Sequence, residues 1–175
     1  MTRLLIALFT GALLAGCQTT SRDTGVRSVS QVDLNRYIGT WYEQAHLPQF
    51  FQRKCVRNTR AEYTLLPDQR IGVTNQCETA DGSTMQAEGK ARVVPNTGNG
   101  QLKVSFFWPF EGDYWILDLD PQYQWVAVGA PNREYFWVLS RTPQLPADQL
   151  QGILNRARAQ GFDLSTLIYT TQTPR

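Results

Sequence analysis

The fold is decided by residues 33–51, which read Asp33-Leu-Asn-Arg-Tyr-Ile-Gly-Thr-Trp-Tyr-Glu-Gln-Ala-His-Leu-Pro-Gln-Phe-Phe51. Asp33 to Arg36 predict one short helical turn, with Asp33 as its N-cap. Gly39 then ends the turn, and Thr40-Trp41-Tyr42 begin a strand, since strands favour β-branched and aromatic residues. Taken alone, so short a motif also fits an ordinary first strand that carries a core tryptophan.

Two later stretches change this interpretation. Tyr135 to Pro143 form a strand that ends in Ser-Arg-x-Pro, and Arg141 could lie across the face of Trp41 in a cation–π contact of about 0.5–2 kcal/mol. Between the two regions, Asp120-Pro-Gln-Tyr123 predicts a tight turn that joins two strands. In this order the motifs resemble the three signature regions of the lipocalins.

The resemblance covers residues 32–172, and the wider wording is similar to the bacterial, apolipoprotein-D-like branch of that family. It rests on Gly-Thr-Trp-Tyr-Glu at 39–43, on Lys103-Val-Ser-Phe-Phe107 and on Leu139-Ser-Arg-Thr-Pro143. The resemblance implies an all-β fold, an eight-stranded antiparallel up-and-down barrel with Trp41 and Arg141 meeting at its closed end. It also makes Gly39, Asp120 and Tyr123 signature residues of that fold.

The rhythm of the chain agrees with such a barrel, because short β-type runs alternate with turn signals. The predicted strands are about 40–47, 56–66, 70–77, 84–94, 101–107, 113–119, 123–130 and 135–140. After Pro143 the period becomes helical, and Leu150, Ile153, Leu154 and Ala157 share one face. We expect one C-terminal amphipathic helix that packs outside the barrel, followed by a short closing strand at 167–170.

The amino terminus predicts export and lipidation. Residues 1–16 match a lipoprotein signal peptide, with Arg3 before an apolar run that is too short to span a bilayer. Leu14-Ala-Gly-Cys17 resembles the bacterial lipobox, which makes Cys17 the lipidated first residue, although Cys17 could also be an incidental thiol. Gln18 after it favours the outer membrane by analogy. The polar residues 18–32 predict a flexible tether before a single domain at 33–172.

The amino-acid composition limits the kinds of molecule that the protein is expected to bind. Seventeen Lys and Arg against fifteen Asp and Glu leave the chain nearly neutral, so electrostatics favours no nucleic-acid partner. The aromatic content of 11% has to line a core or a cavity. A single histidine, His46, cannot form a metal site alone, and we expect no metal and no cofactor.

Alternation along the strands predicts an interior with room for one small ligand. In the fourth strand Glu88, Lys90 and Arg92 must face water, so the small residues between them face inward. A filled core remains the alternative. Phe50, Phe51 and Trp108 belong to the predicted site with the first two at its entrance, and the inward ligand-binding residues are predicted to be Ala45, Tyr63, Val73, Ala87, Gly89, Val104, Phe106, Tyr114, Ile116, Ala127, Tyr135 and Trp137.

Three polar features complete the prediction. Glu43 falls on the inward parity, so either the register fails there or its carboxylate meets a polar partner. The basic run Arg53 to Arg57 is a solvated surface or meets an amphiphile's head group. Cys55 and Cys77 lie on paired strands of an exported protein and should form a disulfide, with a free barrel thiol as the alternative.

These observations favour a membrane-anchored binding protein that holds a fatty acid or lysophospholipid for transport, storage or scavenging in the bacterial envelope. We do not expect an enzyme, because the chain offers no Ser/His/Asp constellation. The alternatives are a lipid-modifying enzyme that uses Cys55 or Cys77, and a purely structural envelope lipoprotein. The sequence leaves open whether the protein forms a homodimer.

Overall fold

A computed structural model describes residues 24–173 of the 175-residue chain. Its backbone forms nine strands, a short α-helix before the first strand, a 3₁₀ turn at Phe50–Gln52, and one longer α-helix before the last strand. In chain order the elements are α1 (Leu34–Tyr37), β1 (Gly39–His46), β2 (Cys55–Leu65), β3 (Ile71–Thr79), β4 (Thr84–Val93), β5 (Gln101–Phe107), β6 (Phe110–Leu119), β7 (Trp125–Gly129), β8 (Phe136–Ser140), α2 (Ala147–Ala159) and β9 (Ile168–Tyr169).

Strands β1 to β8 close into an antiparallel barrel, as predicted. Neighbours in sequence pair from β2 to β8, and β1 closes the circle because it pairs with both β8 and β2. Closure removes the exposed strand edges of an open sheet. The loop 47–54 and the turns β3–β4, β5–β6 and β7–β8 lie at the open end, whereas α1 and the other turns lie at the closed end.

The predicted start of the domain is present. Asp33 caps α1, and its carboxylate accepts a hydrogen bond of 2.9 Å from the Asn35 backbone amide. The α1 residue Tyr37 is buried beneath the barrel. The short helix therefore seals the closed end.

Helix α2 packs on the outside of the barrel, as its periodicity predicts. Its buried residues Ile153, Leu154 and Ala157 form a cluster with Phe136 and Val138 of β8. Each fully buried aliphatic side chain of this size contributes about 1.5–3 kcal/mol. Because α2 covers the outer faces of β7 and β8, these faces are as apolar as the inner faces of the same strands. Among residues 24–173 no helix is long and apolar enough to cross a membrane.

Residues 24–32 lie against the barrel, which corrects the prediction of a flexible tether for this part of 18–32. Val26 and Val32 are buried, and the Val29 and Val32 amides donate hydrogen bonds of 2.8 Å to the carbonyls of Ile116 and Gly98. The close approach requires glycine at position 98, because a Cβ there would lie 1.9 Å from the Ser30 carbonyl oxygen. Polar composition alone did not reveal the two buried valines.

The C-terminal segment 168–173 fills a gap between β1 and β2 at the open end. The register of β1 with β2 ends at Tyr42, opposite Arg60, and beyond it Ala45 and His46 pair with β9 instead. On its other side the segment bonds to β2, where the Asn58 amide donates to the Thr171 carbonyl at 2.9 Å. The last strand therefore widens the mouth of the barrel by one strand on one side.

Candidate ligand-binding site

Arg141 closes the bottom of the barrel. Its guanidinium carbon lies 3.8 Å from the centroid of the Trp41 ring, within cation–π distance. The same guanidinium group donates hydrogen bonds of 2.6–3.1 Å to four carbonyl oxygens, those of Arg36, Tyr37, Ile38 and Thr40. Burial lowers the pKa of Arg141 from its usual value. One side chain thus ties α1 and the start of β1 to the end of β8.

The turn at 120–123 belongs to the same end. Asp120 accepts hydrogen bonds from the amides of Gln122 and Gln124 at 3.0 and 3.1 Å, which fixes the turn. The Tyr123 hydroxyl accepts a 2.8 Å hydrogen bond from the Asp33 amide, and the Arg36 guanidinium carbon lies 4.1 Å from its ring centroid. The signature residues singled out from the sequence therefore form one connected assembly with α1.

Three tyrosine hydroxyls form a polar floor inside the barrel. The Tyr114 hydroxyl lies 2.7 Å from that of Tyr37 and 2.9 Å from that of Tyr63. Burial raises the pKa of Tyr63 to about 12 and the pKa values of Tyr37 and Tyr114 well above their usual range, because a phenolate is costly away from water. Strand alternation predicts that Tyr63 and Tyr114 face inward, but it does not predict that their hydroxyls meet.

The strand registers place most predicted residues on the inner face. On β3 and β4, Val73 lies opposite Gly89 and Asn75 opposite Ala87, and Ala91 lies opposite Val104 of β5. The same face continues through the later strands: Leu102 lies opposite Tyr114, Ile116 opposite Val128, and Val128 opposite Trp137.

Only the open half of this interior is accessible. Near the closed end Trp41, Tyr63, Ile71, Val73 and Ile116 are buried in one core cluster, so this half is filled. Towards the open end Ala87 and Gly112 are exposed on the inner face, while Val104, Phe106, Tyr114, Tyr135 and Trp137 are half-buried. The alternative of a filled core therefore describes the lower half, and the cavity stays a prediction for the upper half.

Two predicted lining residues face outward. Ala45 lies opposite Val138 on the helix-covered side, because the register of β1 shifts between Glu43 and Ala45. Ala127 belongs to the cluster beneath α2. In β7 it is Val126 and Val128 that face inward, and the prediction for Ala127 is wrong.

Gly89 is small for a different reason from the one predicted. A Cβ at this position would lie 2.7 Å from the Ser105 carbonyl oxygen and 2.8 Å from the Phe106 ring. The missing side chain thus accommodates Phe106 and leaves no free volume at that point. Ala87, one inward position nearer the mouth, carries its own Cβ and is exposed.

Trp108 does not line the interior. Phe107 pairs directly with Phe110, so Trp108 and Pro109 form the tip of the β5–β6 hairpin. Strand β6 starts at Phe110, earlier than the predicted residue 113, because the turn is this short. Trp108 is 90% exposed at the open end.

The other side of the mouth carries the predicted aromatic entrance. Phe51 stacks with Trp137 at a centroid distance of 6.5 Å, and Tyr135 stacks on Trp137 at 6.0 Å. Phe50 contacts the edge of Phe51 and is itself largely exposed. Gln52 anchors this loop, since its carbonyl oxygen Oε1 accepts a 2.9 Å hydrogen bond from the Trp137 indole.

Glu43 is buried and has polar partners, as its inward parity required. Its carboxylate accepts hydrogen bonds from the Thr170 hydroxyl at 2.5 Å and from the Gln52 amide at 2.9 Å. His46 Nε2 lies 3.8 Å from the same carboxylate. Glu43 therefore joins the entrance loop, the C-terminal segment and β1, which is a structural role.

The basic run divides into paired and unpaired residues. Arg57 forms an ion pair with Glu78, and Arg60 donates a 2.6 Å hydrogen bond to Gln76. Arg53 and Lys54 are exposed beside Phe50 and Phe51, and no ion pair within residues 24–173 includes them.

Cys55 and Cys77 form a disulfide between β2 and β3, with Cα atoms 5.5 Å apart. The two sulfur atoms that the enzyme alternative needs as nucleophiles are joined to each other. Within the described part of the chain no group of three or more His, Cys, Asp and Glu side chains could hold a metal ion. The prediction for Cys17 lies outside the described residues.

An eight-stranded barrel with one outer helix, a sealed base and an aromatic mouth defines a small-ligand-binding barrel of the up-and-down class. The family profile of the lipocalin-like domain matches residues 32–172. The chain belongs to the lipocalin family.

Known proteins resemble the chain over most of its length. It is 39% identical over 172 residues to the outer membrane lipoprotein Blc of Vibrio cholerae, covering 97% of this chain and 99% of that protein. It is 32% identical to apolipoprotein D of Macaca fascicularis, covering 80% and 77% of the two chains. The structure of insecticyanin from Manduca sexta superposes with a TM-score of 0.68 at 21% identity, covering 85% of each chain. The names of the bacterial relatives support the expected location, a lipid-anchored protein of the bacterial outer membrane.

Proposed function

We propose that the protein binds one long-chain amphiphile, a fatty acid or lysophospholipid, in the open half of its barrel, for transport, storage or scavenging in the bacterial envelope. Cys17 is the proposed attachment point to the membrane. The observation that carries the proposal is the exposure of Ala87 and Gly112 at inner-face positions of the open end, the end that also carries the aromatic residues Phe51, Phe106 and Trp137. Membership of a family of ligand-binding barrels supports it.

The interior fits a chain better than a bulky polar ligand. Apart from Asn75 and the tyrosine hydroxyls, its walls are apolar or aromatic, whereas the charged side chains Arg53 and Lys54 lie outside at the entrance. An amphiphile would place its tail inward and its head group among these cations. Each buried methylene group contributes about 0.8 kcal/mol, so the tail supplies most of the affinity and the head group the selectivity.

The tyrosine floor sets the usable depth. Tyr114 lies opposite Leu102, five residues below Phe107 at the rim, which corresponds to roughly 12 Å along a tilted strand. This depth holds about nine or ten methylene groups, with about 7 kcal/mol of burial free energy against an association cost of about 4–15 kcal/mol. We therefore expect affinity to rise with chain length and then level off once the tail reaches the tyrosine hydroxyls.

The test is isothermal titration with a chain-length series of fatty acids and lysophospholipids. Ala87→Trp should abolish binding, because the new ring occupies the mouth without a backbone clash. Gly89→Phe is unsuitable, since any Cβ at Gly89 collides with Ser105. Lys90→Trp on the outward face of the same strand is the matched control and should bind like the parent. The proposal is contradicted if the affinity does not change with the acyl chain length of the ligand, or if the Ala87→Trp variant binds with the affinity of the parent.

A barrel that serves only as a structural envelope component would give a different result. Mass spectrometry of the organic extract of the purified protein should find a stoichiometric amphiphile. An extract without lipid, together with a flat titration, would favour the structural alternative.

A further inference from the structure

The exposed apolar residues of the protein are concentrated at one end. Phe50, Phe51, Phe107, Trp108 and Phe110, here called the aromatic rim, lie on the entrance loop and on the β5–β6 hairpin at the open end. The hairpin side chains of Phe107, Trp108 and Phe110 are 80%, 90% and 78% exposed. Among the described residues, Leu65 is the one large exposed apolar side chain at the closed end. Apolar patches of this kind mark surfaces that bind a partner or a membrane.

The amino-terminal segment leads to the same end. Thr24 is held at the β7–β8 turn, where Arg133 Nη2 donates a 2.5 Å hydrogen bond to its carbonyl oxygen. Strand β7 runs from the closed end to the open end, so this turn lies at the open end. From Thr24 the chain then runs along the barrel to α1 at the closed end.

The chain outside the structure is short. Seven peptide units separate Thr24 from Cys17, which gives a maximum reach of about 25 Å. The barrel itself is of similar height, since β3 has nine residues at about 3.3 Å each along a tilted strand. With Cys17 in a bilayer, the open end is therefore the end that the anchor holds close to the lipid.

The chemistry of the rim matches a membrane interface. Tryptophan and other aromatic side chains favour the region between head groups and acyl chains. Arg53 and Lys54 flank the rim without ion-pair partners among the described residues, and each basic residue near an anionic lipid surface contributes about 1 kcal/mol. A water-facing loop has no need of three exposed aromatic rings on one hairpin.

We propose that the aromatic rim inserts into the lipid surface of the membrane that holds the anchor, so that the barrel opens directly onto the bilayer. Arg53 and Lys54 lie among the head groups, and Trp108 at the hairpin tip reaches deepest. An amphiphile then moves between membrane and barrel without crossing bulk water. This last step rests on the proposed function, whereas the orientation does not.

The orientation is tested with the mature lipoprotein reconstituted into vesicles of phosphatidylethanolamine and phosphatidylglycerol that carry bromine on their acyl chains. Bromolipid should quench part of the tryptophan fluorescence. Trp108→Phe should remove that quenched part while keeping the rim aromatic. Trp125→Phe is the matched control, because Trp125 lies at the closed end beside Arg156 and its loss should leave the quenched part unchanged.

Three results overturn the orientation. They are no quenching in the parent protein, equal quenching in the parent and Trp108→Phe, and quenching that depends on Trp125. A second copy of the chain seated on the rim would protect Trp108 from bromolipid and give a dimer on sedimentation, which also excludes insertion.

The transfer step is tested by the rate at which a fluorescent lysophospholipid leaves vesicles for the barrel. Trp108→Ser/Phe110→Ser should slow this transfer by about tenfold, equivalent to about 1.4 kcal/mol in the barrier. The same variant should bind the probe with unchanged affinity when the probe is added from solution. Leu65→Ser at the closed end should transfer at the parent rate. Equal rates in the rim variant overturn the transfer step, and a parent that takes up no probe overturns the proposed function while the quenching result stands.

Discussion

Replacing Arg141 by alanine tests the closed end most directly. The substitution removes a guanidinium group that lies 3.8 Å from the Trp41 ring centroid and donates to four backbone carbonyls. Loss of the cation–π contact costs about 0.5–2 kcal/mol. The freed carbonyls cost about 1 kcal/mol each where water does not replace the donor, and those nearest the surface are partly rehydrated. We expect a total loss of about 3–5 kcal/mol in the free energy of unfolding.

Urea unfolding, followed by tryptophan fluorescence and far-ultraviolet circular dichroism, measures this loss. Arg141→Lys should recover only part of it, because an ammonium group can reach some of the carbonyls but cannot stack as a plane on Trp41. Arg158→Ala on the exposed face of α2 is the matched control and should stay within about 0.5 kcal/mol of the parent. A loss below about 1 kcal/mol for Arg141→Ala, or full recovery with lysine, would refute the reasoning.

Three further predictions concern the disulfide, the tyrosine floor and the anchor. Cys55→Ser/Cys77→Ser should lose about 3 kcal/mol in urea unfolding, as expected for a loop of 22 residues, and a reductant should weaken the parent but leave the variant unchanged. Because burial raises the folded-state pKa of Tyr63 to about 12, its contribution is full below pH 10 and disappears between about pH 10 and 12; this amounts to about 2–3 kcal/mol. Tyr63→Phe should flatten the alkaline decline in stability, and an unchanged slope would contradict the burial argument. Cys17→Ser should take up no radioactive palmitate in cells that label the parent, and a parent without label would show that the lipobox interpretation is wrong.

The closed end could be predicted from the sequence because its chemistry is local and specific. Each key position there requires a particular residue type. These positions are Asp33, Gly39, Trp41 and Arg141. The eight strands were also predictable, since turn signals separate them. The lipocalin fold therefore followed from short motifs in the correct order.

The inner face was harder to predict wherever polarity does not alternate. In β7 every residue is apolar, since α2 covers the outer face and the core covers the inner one, so nothing in Trp125–Gly129 marks its sides. Val128 pairs with the inward-facing Trp137, which shows that Ala127 faces outward. This pairing can be known only once the register between β7 and β8 is known. The register shift after Glu43 likewise turns the Ala45 side chain from the inner to the outer face, and no residue type in β1 indicates this shift.

Proximity between distant segments was beyond the sequence altogether. The hydroxyls of Tyr37, Tyr63 and Tyr114 come from three elements far apart in the chain. The buried valines of 24–32 depend on the closeness of Gly98 to Ser30. Gly89 illustrates the same limit. The sequence does not distinguish a glycine that leaves free space in a cavity from one whose space is occupied by a neighbouring ring, here that of Phe106.

The C-terminal segment 168–173 lies between β1 and β2, so the open end of the barrel can form completely only after the whole chain has been made. On the side away from β8, the mouth half of β1 pairs with the last strand, more than a hundred residues later, and Glu43 accepts one of its hydrogen bonds from Thr170. Because a chain is synthesised from its amino terminus, this side of the mouth stays unpaired until the last residues are available. The open end of the barrel is therefore finished by the final residues of the chain, and a polypeptide cut short before Ile168 would keep a sealed base beneath an unfinished opening.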